Sequence, residues 1–245
     1  MKVNYDSHYD DKYWTFSKEY RTPDGQVHKY NNPGLDWDGW NEIHRNVTDL
    51  IPGQDVLDIG CGGGGFSARF LREGRNTFGI DVSQYAIDNC VPDMQGRIVY
   101  GDITSKLSPF LMLKDREMPS TFDVVLATDL MEHFYEEDLE RAFSWMSAVC
   151  RKFMFLCIAT VSSKQSEFVL RKGEEVPLKH EVTAISGHVN VRTSFYWLKF
   201  FQKNNWKVRY DLMWLYLARR EKIDWWLKMP QWGPENVIIL EKTCI

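Results

Sequence analysis

A buried strand that runs straight into a row of glycines leaves a chain few folds to adopt, and VLDIGCGGGGF, Val56 to Phe66, is such a stretch. Val56–Ile59 is apolar apart from Asp58, five of the next six positions are glycine, and Phe66, Phe70 and Leu71 then mark a helix. Strand, glycine turn and helix in that order form the nucleotide-binding edge of an open α/β sheet, where main-chain N–H groups at the helix start meet the ligand. Gly60, Gly62 and Gly65 satisfy G-x-G-x-x-G, while Gly60, Gly62 and Gly64 satisfy G-x-G-x-G. The glycines alone therefore do not choose between cofactors.

The alternation continues along the chain. Trp40, Ile43, Val47 and Leu50 place a helix over 38–50, before the glycine loop. After it, Thr77–Ile80 reads as a strand, Gln84–Asn89 as a helix capped by Ser83, and Ile98–Tyr100 as a third strand. Phe122–Ala127 is a fourth strand, Glu137–Val149 an amphipathic helix, and Phe153–Ile158 a fifth strand. Near-continuously apolar strands separated by helices predict an α/β fold with a parallel sheet covered on both faces. Beyond Ala159 the pattern lapses until a helix at Ser194–Asn204, a strand at Trp206–Tyr210, a Trp-rich helix over 216–229 and a last strand at Val237–Leu240. A single domain over 1–245 is expected, with 1–37 and 160–193 as additions to it.

Three acids stand at the ends of the first three strands: Asp58, Asp81 in GIDVS and Asp102 in GDI. A carboxylate two residues ahead of the glycine loop disfavours a pyrophosphate, because like charges about 6 Å apart cost roughly 2–3 kcal/mol at an effective dielectric near 20. The same carboxylate favours an ammonium or sulfonium, which counts against a nicotinamide dehydrogenase. Asp81, 21 residues after Gly60, is placed to accept both hydroxyls of an adenosine ribose. Asp102 is placed to accept from an adenine amino group, with Ile103 on the ring.

VLDIGCGGG, GIDVS, GDI and FDVVLATDLMEHF, in this order and spacing over about 40–160, resemble the class I S-adenosylmethionine-dependent methyltransferases. The resemblance implies a Rossmann-like, seven-stranded, mostly parallel sheet with helices on both faces and an antiparallel last strand. It implies S-adenosylmethionine as cofactor, its methionine part held by Asp58, Gly60, Cys61 and Gly62, its ribose by Asp81 with Val82 on the adenine, and its adenine by Asp102 and Ile103. Ala127, Thr128 and Asp129 would line the methionine end. An N-terminal lid is a common feature of such proteins, and Tyr9, Tyr13, Trp14 and Trp37 are available for one.

Methyl transfer from a sulfonium asks the protein to align the nucleophile and, for a hydroxyl, to remove its proton. His133 in DLMEHF, beside Glu132 and four residues after Asp129, is one candidate base; its alternative role is structural or on the cofactor side. His188, in the insertion over 160–193, resembles an acceptor-side histidine of small-molecule and glycan-modifying members, with loop hydrogen bonding as its alternative; His180 ranks below it. Trp214, Tyr216, Trp225, Trp226 and Trp232 either wall an acceptor pocket or pack the last helix on the sheet. No ligand spacing demands a metal, and none is expected.

Charge and cysteines narrow the setting. Residues 1–150 carry 14 Lys and Arg against 25 Asp and Glu, a balance of −11, and 151–245 carry 16 against 9, a balance of +7. The basic half leaves an anionic acceptor open, but no run of Lys and Arg supports nucleic acid. Five cysteines without a C-x-x-C pair, no apolar leader in MKVNYDSHYDDKYW and no membrane-length apolar run predict a soluble cytoplasmic protein. The expected function is methyl transfer to O or N of a small molecule or glycan; the alternatives are an RNA or DNA methyltransferase and a non-catalytic cofactor-binding module.

Overall fold

The computed structural model describes residues 9–15, 19–21, 27–29, 40–106, 118–161, 167–175, 187–220 and 236–243. A short helix α1 (Asp11–Trp14), capped by Asp10, and an antiparallel pair β1 (Glu19–Arg21) and β2 (Val27–Lys29) precede helix α2 (Trp40–Thr48). Then follow β3 (Asp55–Ile59), α3 (Gly65–Arg72), β4 (Asn76–Asp81), α4 (Gln84–Asp88), β5 (Ile98–Tyr100), β6 (Phe122–Thr128), α5 (Glu136–Val149) and β7 (Cys150–Cys157). The insertion contributes β8 (Thr160–Val161), β9 (Phe168–Val169) and β10 (Asn190–Thr193). Helix α6 (Ser194–Lys203), β11 (Trp206–Val208), α7 (Tyr210–Arg220) and β12 (Val237–Lys242) close the chain.

Seven strands form one sheet in the order β11-β12-β7-β6-β3-β4-β5. The pairs β3–β4, β4–β5, β3–β6 and β6–β7 are parallel, and β12 is antiparallel to both its neighbours. The chain walks outward from β3 to β5, then recrosses to β6. Strand order therefore reverses between β3 and β6, which opens a crevice at their carboxyl ends.

Alternate residues along each strand serve opposite layers, because successive side chains leave a strand on opposite faces. Leu57, Val125, Met154, Leu156, Ile238 and Leu240 pack with Leu139, Phe143 and Met146 of α5 and with Trp197 and Phe201 of α6. Val56, Val124, Leu126, Phe155 and Ile239 pack on the other face with Ile43 and Val47 of α2, Phe66 and Phe70 of α3, and Tyr216 of α7. Each fully buried large apolar side chain contributes about 1.5–3 kcal/mol relative to exposure, so two filled faces fix the register of the central strands.

Two boundaries depart from expectation. The strand WKVRY ends at Val208 and α7 begins at Tyr210, six residues before the helix read from the tryptophans. Arg209 makes the break: its guanidinium holds Asp211 at 2.6 Å and Glu241 at 3.2 Å, and its carbonyl accepts the Met213 N–H. Leu212, Met213, Tyr216 and Leu217 then face the core at helical spacing. Within the insertion, where the sequence shows no periodicity, β8 pairs parallel and β9 antiparallel with β10. Phe168, Leu170, Val189 and Val191 gather around Tyr135 beneath these strands.

Candidate active site

The glycine turn after β3 is held by the acid that ends β4. Asp81 Oδ2 accepts the Gly62 N–H at 2.7 Å, and Oδ1 accepts the Ser83 N–H at 2.7 Å. Burial raises the Asp81 pKa, and the N–H groups of Ser83, Gly62 and Val82 pull it back. Each carboxylate oxygen keeps a further lone pair for a ligand. Gly62 has φ +54°, and a Cβ there would stand 2.7 Å from Cη2 of Trp14. The indole of α1 thus lies directly on the loop.

The N-terminal segment is strapped at both ends of this edge. Trp14 Nε1 donates to Ser83 Oγ at 2.9 Å, and Ser83 Oγ donates to the Tyr9 carbonyl at 2.7 Å. Across the crevice, Tyr9 Oη stands 2.8 Å from Nδ1 of His133.

Beneath the strap lies a cavity of about 190 Å³. Gly60, Asp81, Val82, Asp102 and Ile103 line it from the ends of β3, β4 and β5; Asp129, Leu130, His133 and Phe134 line it from the turn after β6; Tyr9, Tyr13 and Trp14 cover it. Three carboxylates face this space, and no Lys or Arg is among its lining residues. Asp102 is exposed, and its Oδ1 accepts both the N–H (2.8 Å) and the hydroxyl (2.7 Å) of Thr104.

Other expected residues stand behind that wall. Asp58 is buried at 1% exposure; Oδ2 accepts the Ser67 hydroxyl at 2.6 Å, and Oδ1 has no hydrogen-bond partner. Burial pushes its carboxyl up to about 7, against the Ser67 hydrogen bond and with the Asp81 charge adding to the rise. Cys61 turns toward Ala68, Val91, Met94 and Ile98, its Sγ filling the space over Gly79, where a Cβ would approach it to 2.4 Å. Thr128 ends β6, and Asp58, Cys61, Gly62 and Thr128 are not among the residues that line the cavity.

The turn after β6 carries the most polar chemistry. Asp129 adopts φ +50°, a left-handed conformation uncommon outside glycine. Solvent in the open crevice reaches its side chain, yet the surrounding protein pushes the carboxyl up to about 7. Glu132 is fully buried; Oε1 accepts the Ala159 N–H at 2.7 Å and Oε2 has no hydrogen-bond partner. Burial, then the charge of Asp129, pushes Glu132 up to about 8. His133 is pushed down to about 4 by burial, partly offset by the carbonyls of Gly187 and Asp129. His188 is half-buried behind it, with ring centroids 4.8 Å apart and its Nε2 4.0 Å from Glu132 Oε1.

Two of the aromatics read either as acceptor wall or as packing of the last helix lie among the described residues, and for Tyr216 it is the packing alternative that the structure shows. Tyr216 is buried against Phe155 in the core, and Trp214 is 72% exposed on the outer face of α7. Neither lines the cavity, because the earlier start of α7 turns its apolar stripe to the sheet. Trp37, His180, Trp225, Trp226 and Trp232 lie outside the described residues. Sequence reasoning left Tyr100, Thr104, Leu130 and Phe134 out of the cavity wall and Glu132 out of the polar cluster. Adjacency to Asp102, Asp129 and His133 was the signal available for each.

Comparison with known proteins adds a family. A model described as a methyltransferase domain matches residues 35–210. The mitochondrial ubiquinone biosynthesis O-methyltransferase of Schizosaccharomyces pombe is 30% identical over 131 residues, 50% of this chain and 43% of that one. The ubiquinone biosynthesis O-methyltransferase of Ralstonia nicotianae is 31% identical over 127 residues, 50% of this chain and 45% of that one. The chain spans about half the length of the curated relatives it matches. Among solved structures, magnesium protoporphyrin IX methyltransferase from Synechocystis PCC 6803 with bound SAH aligns at a TM-score of 0.50 and 12% identity, covering 84% of each chain. A SAM dependent methyltransferase from Archaeoglobus fulgidus aligns at 0.50 and 18%, covering 83% of this chain and 93% of that one. At such identities these two structures speak to the fold alone.

Proposed function

The chain belongs to the methyltransferase domain family, and on that premise we propose that it transfers the methyl group of S-adenosylmethionine to an oxygen or nitrogen of a small-molecule or glycan acceptor. The observation that carries this reading is the acidic cavity: Asp81, Asp102 and Asp129 line it beside a glycine turn, with no Lys or Arg among its lining residues. A pyrophosphate would meet three like charges there, whereas a sulfonium and an ammonium would meet opposite ones. The donor set fits the cofactor in the same way, with Asp81 for the ribose hydroxyls, Val82 and Ile103 for the adenine faces, Asp102 for its amino group and the Gly60–Gly62 backbone for the amino-acid end. Asp58, Cys61 and Thr128 would act from behind the wall, Asp58 by holding Ser67 of α3 beneath the glycine turn.

The cofactor supplies an activated methyl on sulfur. The chain's own residues hold, orient and shield. Tyr9, Tyr13 and Trp14 cover the pocket from above, and the small cavity means that this strap must lift to admit a ligand. Asp129, with a carboxyl poised near neutrality at the mouth, takes the acceptor proton; His133, held neutral and oriented by Tyr9, accepts or relays a hydrogen bond, with His188 behind it. The printed names of the relatives support oxygen as the receiving atom. Cys61, Cys90, Cys150 and Cys157 form no disulfide, which supports a reducing compartment such as the cytoplasm. No helix among the described residues is long and apolar enough to cross a membrane.

The test is calorimetry with S-adenosylhomocysteine, followed by incubation with methyl-labelled S-adenosylmethionine and hydroxylated or amino small molecules and sugars. Micromolar binding and label in a small-molecule product are expected. A chain that binds neither form of the cofactor would overturn the reading.

A further inference from the structure

The cavity wall divides by position. The ends of β4 and β5 carry the residues given to the adenosine. The turn after β6 carries Asp129, Leu130, His133 and Phe134, and Tyr9 and Tyr13 lie over them. Among the described residues, this second part holds one acid, four aromatic rings and no Lys or Arg. The surplus of basic residues in 151–245 is engaged elsewhere: Arg192 pairs with Glu136 and Glu167, and Lys172 pairs with Asp138.

Asp129 is a carboxyl short of a positive partner. Burial pushes it up to about 7, with no positive charge among the described residues drawing it back. His133 does not supply one, since burial holds that ring neutral at pH 7. A cation placed beside Asp129 restores its charge. The rings around it suit the same ligand. Tyr9 meets Tyr13 with centroids 4.9 Å apart at 83°, and it meets His133 at 5.9 Å and 69°. The Tyr9 phenol, 2.8 Å from His133 Nδ1, ties this group of rings to the turn. Aromatic faces attract an ammonium within about 6 Å of the ring centroid, most strongly where water is displaced. A carboxylate or phosphate in the same place meets a like charge and no cationic side chain.

We propose that the acceptor is an amine that enters as its ammonium form, held against Asp129 beside Tyr9, Tyr13 and Phe134. This names the acceptor class for the transferase reading above and rests on it. The inference concerns recognition, and it holds for a methyl received at this nitrogen or at a hydroxyl elsewhere on the same acceptor. A bound sulfonium repels an unaccompanied ammonium, and the Asp129 carboxylate supplies the counter-charge that lets both enter one cavity. The positive balance of 151–245 therefore does not make the acceptor anionic.

The full chain, saturated with S-adenosylhomocysteine, is titrated by calorimetry with two matched pairs of probes. Tyramine is set against para-hydroxyphenylacetate, and cyclohexylmethylamine against cyclohexanecarboxylate. Each amine is expected to bind about tenfold or more tighter than its carboxylate, and Asp129→Asn is expected to bring each pair within about threefold. Asparagine suits the φ of +50° at this position, and thermal melts with S-adenosylhomocysteine binding report that the variant is folded. The wild-type comparison decides by itself should the variant not fold. Amines that bind no better than their carboxylates, or a preference that persists in folded Asp129→Asn, overturn the inference and leave the transferase reading standing. A wild-type chain that binds no S-adenosylhomocysteine overturns the transferase reading, and this one with it.

Discussion

The phenol of Tyr9 stands 2.8 Å from Nδ1 of His133, 124 positions further along the chain. This contact joins the segment that covers the cavity to the turn that carries the acids and imidazoles. The other end of the same segment is tied to Ser83 through Trp14 Nε1 and the Tyr9 carbonyl. The cover is therefore held at both the ribose side and the acceptor side, and opening it requires breaking one of these ties.

Tyr9→Phe removes the acceptor-side tie alone. A part-buried hydrogen bond contributes about 1 kcal/mol, so release of S-adenosylhomocysteine should quicken about fivefold. Stopped-flow displacement reads this directly. An unchanged release rate would mean that the strap does not gate the cavity.

Asp81→Ala takes away an acceptor from two main-chain N–H groups as well as the carboxylate offered to the ribose. Each orphaned donor costs about 1–3 kcal/mol, so the melting temperature should fall and the affinity for S-adenosylhomocysteine should drop by more than about tenfold. Calorimetry on the folded variant is the check. Affinity within twofold of the wild type would remove Asp81 from the cofactor site.

The fold was legible because the central strands are apolar on both faces and each ends in a polar turn. Val56–Ile59, Thr77–Ile80 and Phe122–Ala127 announce buried parallel strands, and Asp81, Asp102 and Asp129 mark one edge of the resulting sheet. Side-chain direction was less visible. Nothing in MEH says that a single 3-10 turn, Met131–His133, drives Glu132 into the interior, and strands of two to four residues in the insertion carry no period that would bring His188 beside it. The start of α7, six residues ahead of the expected 216, was hidden for a related reason. Aromatic character does not specify a face, whereas the spacing of Leu212, Met213, Tyr216 and Leu217 does.

Asp58 gives the pH dependence its sign. In the native chain its proton stays on up to about 7, whereas in the unfolded chain it leaves near the ordinary 3.8. Between those values the native state holds the extra proton, so this group makes stability fall as pH rises, and the loss levels off above about 7. Asp58→Asn keeps an acceptor for Ser67 and abolishes the titration. Urea melts at pH 5 and pH 8 should show the variant gaining on the wild type by on the order of a few kcal/mol between the two pH values. Parallel behaviour of the two proteins would show that Asp58 ionises freely in the native state.

Trp14 and Gly62 offer a test of the cover that needs no ligand. Gly62→Ala adds a methyl 2.7 Å from the indole at a backbone conformation with φ +54°. The left-handed backbone costs about 1–2 kcal/mol whatever lies nearby, while the clash exists only when Trp14 is present. In a Trp14→Ala background Gly62→Ala should therefore lose its steric part and keep its backbone part. Denaturant melts of the wild type, both single variants and the double variant should give a coupling of about 1–2 kcal/mol, with the double variant less destabilised than the sum of the singles. Simple additivity would mean that the indole does not rest on the glycine loop, and the strap would then have to close the cavity by its tyrosines alone.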